Sequence, residues 1–148
     1  MQQVKSKKRV ADHGEVFTSE REVSAMLDLV KQETDRIDSK FLEPACGTGN
    51  FLAEILRRKM EVVVRRYKSN QHDFERNSIT AISSIYGVDI LRDNTIECRE
   101  RLFKIFDEIY IKIYKKKTKD KVRDTVQFIL QRNIVLGDAL SLETVDDI

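Results

Sequence analysis

The sequence is poor in the residues that break or staple a chain: of 148 residues, none is tryptophan, one is proline, five are glycine and two are cysteine. Cys46 and Cys98 are too few for a disulfide framework or a cysteine-built zinc site, which fits a reducing cytoplasm. His13 and His72 lie far apart, so a dedicated zinc motif has no support either. No apolar run approaches the roughly 20 residues of a membrane-spanning helix, and the basic start, Met1 to Val10, lacks the apolar stretch of a secretory signal. Neither sign of charge dominates, with 27 Lys+Arg against 25 Asp+Glu and a net charge of +2. That balance argues against a chain whose main task is coating nucleic acid. What the sequence does have is 41% apolar residues, enough for a core, and 35% charged residues, which with so little Gly and Pro implies long solvated helices.

Residues 1–13 read as a solvated basic arm. Ser19-Glu20-Arg21-Glu22 matches a capping box, and Val23, Met26, Leu27 and Val30 follow at helical spacing. A charged loop, Glu33 to Lys40, leads into a short buried strand at Phe41-Leu42-Glu43. Leu52, Ile55, Leu56, Met60, Val63, Val64 and Tyr67 trace one face of a long helix. An inserted helix from Gln71 to Ser83 precedes a second strand, Ile85 to Ile90. Asp93 or Asn94 can cap the next helix, whose apolar face carries Cys98, Leu102, Ile105, Phe106, Ile109 and Ile113. Val122, Val126, Ile129 and Leu130 mark a further helix, and Asn133 to Asp138 a third strand. Short apolar strands alternating with helices predict an α/β fold: about three parallel strands with flanking helices and right-handed crossovers. Three strands leave open sheet edges, so residues 14–148 read as half of a larger domain, with self-association through those edges as a further possibility.

The glycines and the proline fall in four places. Gly14 precedes Glu15-Val16-Phe17-Thr18; Pro44, Gly47 and Gly49 share one turn; Gly87 and Gly137 shortly precede strand-end acids. Three of these places are C-terminal strand ends, where open parallel sheets bind ligands. In Phe41 to Phe51 the glycines let a ligand lie against bare backbone, and the following helix N-terminus offers free N–H groups to an anion. A P-loop would need Gly-x-x-x-x-Gly-Lys-Ser/Thr, which is absent. A dinucleotide fingerprint would need glycine at position 52, where Leu52 stands, and an acid about 20 residues on, whereas Asp89 lies 40 beyond Gly49.

The four segments resemble, in order, the S-adenosylmethionine-binding motifs of the N6-adenine DNA methyltransferases of restriction–modification systems. Gly14 to Thr18 looks like the N-terminal motif that closes over the methionine end of the cofactor, with Ser19 where proline is usual. Glu43-Pro44-Ala45-Cys46-Gly47-Thr48-Gly49-Asn50-Phe51 is similar to the family's cofactor loop. Ile85 to Ile90 resembles the second motif and Ile134 to Leu140 the third. The resemblance implies a Rossmann-like methyltransferase fold, of which this chain carries the N-terminal half, with S-adenosyl-L-methionine as cofactor. It implies that Phe17 and Thr18 hold the methionine end, and that Glu43 bonds the ammonium or braces the turn. Asp89 would accept the ribose hydroxyls, Ile90 would pack on the adenine, and Asp138 would accept the adenine amine, with Ala139 or Leu140 donating N–H. The bland alternatives stay open: Asp89 and Asp138 as helix caps, Ser19 as a helix start, Cys46 as a space-filler under the turn.

The family's catalytic Asn/Asp-Pro-Pro-Tyr/Phe loop needs two prolines, and Pro44 is the only one here. No catalytic residue is therefore expected in this chain. The parent enzyme would act on DNA in a prokaryotic cytoplasm, away from membranes. Its partners would be the remaining half of the domain or a specificity or endonuclease component. Other readings are part of an RNA or protein-glutamine methyltransferase, or a non-catalytic remnant that binds cofactor or a partner. The lysines from Lys112 to Lys121 read as a solvated loop, and His72 as exposed.

Overall fold

The computed structural model describes Ser6, Arg9, residues 18–141 and residues 143–145. Helix α1 (Glu20–Asp28) and the short α2 (Lys31–Thr34) precede strand β1 (Phe41–Glu43). Helices α3 (Asn50–Tyr67) and α4 (Gln71–Ser83) lead to β2 (Ile85–Asp89). Helix α5 (Arg92–Tyr114), a 3-10 turn (Lys115–Lys117) and α6 (Asp120–Asn133) lead to β3 (Ile134–Asp138) and the two-residue β4 (Glu143–Thr144). The fold is α/β, with one sheet in the order β1-β2-β3-β4. The first three strands are parallel, and β4 runs antiparallel to β3. The three parallel strands and the helix Gln71–Ser83 stand where the sequence places them; β4 was not anticipated.

Local chemistry explains most boundaries. Ser19 Oγ accepts the Glu22 N–H at 3.3 Å and starts α1, but the return bond of a full capping box, from Ser19 N–H to Glu22, is not formed. Asn70 Oδ1 accepts the Asp73 N–H at 3.1 Å and starts α4. Two expectations change. The charged loop begins with a helical turn, α2, because the Thr34 side chain is fully buried and its hydroxyl donates to Lys31 O at 2.9 Å. Helix α5 is capped by neither Asp93 nor Asn94: its N-cap is Leu91, with no side-chain cap, and Asn94 lies buried inside the first turn.

Crossovers of one hand, stepping in one direction along the sheet, put α3 to α6 on one face. Ile85, Gly87, Ile134 and Leu136 point to that face and are buried. The intervening Tyr86, Val88 and Val135 are only half-buried, and Leu42 in the edge strand β1 is 67% exposed. The core lies between sheet and helices, filled by Leu52, Leu56, Met60, Phe74, Leu102 and Phe106. Tyr110, absent from the expected apolar face of α5, is also completely buried. No helix among the described residues is long and apolar enough to cross a membrane.

The apolar face of α3 contains one charge. Lys59 is 0% exposed and donates to Ile37 O at 3.0 Å, to Ser39 O and to Ser84 Oγ at 2.7 Å. It thereby ties the approaches to β1 and β2 together at the N-terminal end of the sheet. Burial lowers its pKa to about 8, against 10.5 in the open chain, with smaller opposing effects from Asp38 and Glu33 and a supporting one from Arg36. Between those values the unfolded chain binds more protons, so this group's contribution makes the fold more stable as pH rises. Lys59→Met removes three hydrogen bonds and is expected to cost about 2–4 kcal/mol near neutral pH. In urea titrations, the stability gap between wild type and Lys59→Met should widen by about 1–2 kcal/mol from roughly pH 7.5 to pH 10. A constant gap would show that Lys59 does not titrate there.

Candidate functional site

Strand β1 ends at Glu43, and the chain turns through Pro44 to Gly49 into α3. Two residues of this turn have left-handed backbone, Gly47 with φ 55° and Gly49 with φ 93°. Gly49 is also the N-cap of α3, and no side chain caps that helix, so its first N–H groups face the turn without a side-chain acceptor. A Cβ on Gly49 would stand 2.8 Å from Cys98 Sγ on α5. One on Gly87 would stand 2.9 Å from Leu52 Cδ1 and 3.0 Å from Cys46 Cβ. Backbone and helix therefore approach more closely than any side chain allows. Cys46 is 6% exposed and fills the space under the turn. Its Sγ donates to Gly47 O at 3.7 Å, and the neighbouring Cys98 thiol together with burial pushes its thiol pKa up, which suits a space-filling thiol better than a reactive one.

Asp89, at the end of β2, anchors the turn. Its Oδ1 accepts the Gly47 N–H at 3.3 Å, and its Oδ2 accepts Leu91 N–H and Asn94 Nδ2, both at 3.0 Å. A carboxylate offers about four acceptor positions, so a ribose diol would take the free one and replace one of these donors. Cys46 N–H donates to Val88 O at 2.9 Å, fixing the turn against β2. On the other side, Asn50 Nδ2 donates to Thr18 O at 2.8 Å. The segment before α1 is thus tied to the start of α3, 32 residues later. The Glu43 carboxylate accepts the Ala45 N–H at 3.2 Å and so braces the turn; burial raises its pKa, and the Ala45 bond opposes the rise.

Thr18, Gly47, Gly49, Asn50 and Asp89 therefore meet, with Glu43, Pro44, Ala45 and Cys46 forming the connecting loop. Ile90 follows Asp89 and is 51% exposed, free to receive an apolar ligand face. Phe51 is partly buried and packs against the core. The third segment stands apart. Asp89 pairs in register with Leu136, which leaves Asp138 two residues further along, and Asp138 pairs with Glu143 of β4. The Leu140 N–H donates to Asp138 Oδ1 at 2.9 Å, the Leu140 side chain is 97% exposed, and no hydrogen bond among the described residues joins Asp138, Ala139 or Leu140 to the loop. Phe17, with Gly14 to Val16, lies outside the described residues.

Three participants escaped the sequence reading. Arg101 Nη1 donates to Asn50 Oδ1 at 2.7 Å and to Thr48 O at 3.3 Å, holding the end of the loop. Arg9, read as part of a solvated arm, instead pairs with Asp93 at 2.7 Å and reaches Asn94 Oδ1 at 3.4 Å. Asn94 is the third. Asn94, Cys98 and Arg101 recur at helical spacing on the α5 face that looks at the loop; counting only apolar residues on that helix hides the polar two.

Gly49→Ala combines a strained φ with a 2.8 Å collision and should destabilise the fold by about 2 kcal/mol or more. Gly49→Ala with Cys98→Ala relieves only the collision, so urea unfolding should show partial recovery; full recovery would mean the backbone conformation costs nothing. Comparison with protein-family models, with curated proteins and with solved structures finds no match to this chain.

Proposed function

We propose that the chain is the S-adenosylmethionine-binding portion of a DNA adenine N6-methyltransferase, inactive by itself. The observation that carries this reading is the junction of three segments that the sequence resemblance singles out. Thr18 is bonded to Asn50, and Gly47 to Asp89, at the C-terminal ends of β1 and β2. The residues fit the cofactor: an uncapped helix N-terminus for its carboxylate, an acid with acceptor capacity for its ribose, and exposed Ile90 for its adenine. When bound, the sulfonium would supply the transferable methyl group. This chain's residues would orient the cofactor, but with Pro44 as its single proline it has no Pro-Pro pair to hold the target amine.

The sheet order supports a Rossmann-like half-domain. In a doubly wound sheet the first strand is central, flanked by the second strand on one side and the fourth on the other. Here β2 lies beside β1 and nothing pairs with its other edge among the described residues. The unpaired β1 edge is where we place the remaining half of the domain, carried further along a parent chain or by a partner polypeptide. A second copy of this chain is the competing occupant, and a specificity or endonuclease component would act through the completed enzyme.

Calorimetric titration of S-adenosylhomocysteine into the folded chain tests the reading. We expect binding that Ile90→Ala weakens by about tenfold, the loss of one apolar contact face, and that Asp89→Asn weakens further. Ile90 is half-exposed, so its substitution should leave the melting temperature unchanged. A folded chain that shows no binding, both alone and when joined to the strands that complete the sheet, overturns the proposal.

A further inference from the structure

The strand–helix–helix repeat builds a second functional candidate at the far end of the molecule. Helix α5 has 23 residues, about 34 Å at the usual rise, and carries the chain from the Asp89 network to the turn Lys115–Lys117. Helix α3 runs the same way and ends beside that turn. Tyr114 donates its hydroxyl to Lys68 O at 2.8 Å, and Gln71 Nε2 donates to Lys117 O at 2.8 Å. Beneath them, buried Glu75 accepts from Tyr110 and pairs with Lys119 at 3.2 Å. Burial alone would raise the Glu75 pKa, but the bonds from Tyr110, Gln71 and Lys119 hold it below the ordinary value. Phe74 meets Tyr114 edge to face, centroids 5.1 Å apart.

This scaffold fixes a platform of unpaired cations. Arg65, Arg66 and Lys68 close α3; Lys112, Lys115, Lys116, Lys117 and Lys121 surround the second turn. All are exposed, and none makes a side-chain hydrogen bond or ion pair with the described residues. Asp120, the one acid between Lys112 and Lys121, is engaged by Arg123 at 3.0 Å. Helix dipoles explain cations at C-terminal ends, but Lys121 sits in the first turn of α6, the end where positive charge is unfavourable. Lys115 adds a second anomaly. It is the only described non-glycine residue with positive φ, 52°, in a position that glycine would fill without strain.

We propose that this platform docks the sugar–phosphate backbone of duplex DNA, at a surface separate from the cofactor loop. An array of ammonium and guanidinium groups carried on a backbone braced by these bonds suits regularly spaced phosphates. Single strands are disfavoured because no aromatic ring is exposed there for bases to stack on: Tyr67 and Tyr114 are half-buried. The choice of DNA over RNA rests on the methyltransferase reading; the platform itself does not.

Fluorescence anisotropy with a labelled duplex tests it, with no cofactor present. For a footprint of about five phosphates, log affinity should fall against log salt with a slope of about −4 to −5. Lys115→Gly/Lys116→Gln/Lys117→Gln should weaken binding at low salt by roughly tenfold or more and reduce that slope by about 3. The variant should melt no lower than wild type, since these side chains are exposed and make no hydrogen bond or ion pair with the described residues. Lys31→Gln/Lys40→Gln/Lys104→Gln removes equal charge elsewhere and should change little. Equal losses in both variants, no wild-type binding at low salt, or tighter binding to duplex RNA or to phosphatidylglycerol vesicles would each overturn the assignment. S-adenosylhomocysteine affinity should not change in the turn variant, so the failure of one reading is distinguishable from failure of the other.

Discussion

The approach of α3 and α5 to the end of the sheet is too close for side chains at two positions, and the site's shape depends on that closeness. With no Cβ at Gly87, Leu52 and Cys46 press onto β2; with none at Gly49, Cys98 reaches the start of α3. Once the helices sit so near, the turn between β1 and α3 has little freedom left. Gly47 and Gly49 adopt left-handed backbone, and the Gly47 N–H meets Asp89. Asp89 in turn orients the entry to α5 through Leu91 and Asn94. A carboxylate that satisfies three donors on two elements is a structural strut as well as a candidate ligand group. The helix-cap reading of Asp89 does not hold, because α5 has Leu91 as its N-cap and no side-chain cap; the residue instead positions the loop by occupying the acceptors that a ligand would compete for.

A parallel strand must be re-entered from the end opposite to the one just reached. One helix per crossover would do this. Here α3 and α5 are long, and α4 and α6 bring the chain back to the starts of β2 and β3. The excess length forms a lobe beyond the sheet, with its own interior of Phe74, Phe106, Tyr110 and Tyr114. Its buried polar group, Glu75, is tolerable because Tyr110, Gln71 and Lys119 all donate to it. Lys59 plays the matching part nearer the sheet, a buried cation surrounded by oxygen acceptors. Lys59 binds the segments that enter β1 and β2, whereas Glu75 ties α4 to α5 and to the start of α6.

What could be read from the sequence follows the range of each interaction. The strands Phe41–Glu43, Ile85–Asp89 and Ile134–Asp138, and the helix Gln71–Ser83, have local signatures: short apolar runs ending at acids, and a polar break before Asn70. Gly47 and Gly49 were legible as a turn for the same reason. Residues whose role depends on a partner far along the chain were not. Lys59 and Tyr110 look like ordinary helical positions until Ser84 and Glu75 are brought to them. Arg101 looks like surface until Asn50, 51 residues earlier, arrives as its acceptor. Nor could spacing show that Asp138 pairs with Glu143 in a hairpin, because β4 is only two residues long and has no pattern of its own.

The sheet's two edges differ in a way that bears on how the fold is used. The β3 edge is covered by β4, whose close pass leaves Gly137 without room for a Cβ, 2.5 Å from Glu143 O. The β1 edge has no such cover among the described residues, and it is the edge from which the glycine loop springs. Ligands in open parallel sheets bind where neighbouring connections leave in opposite directions, which requires a strand on each side of β1. The loop, the uncapped start of α3 and Asp89 supply one wall of such a crevice. A strand added beside β1 would create the opposing wall and pair the open backbone edge in the same step. Completing the site and completing the sheet would then be one event, with the new strand's backbone hydrogen bonds helping to hold the pocket closed.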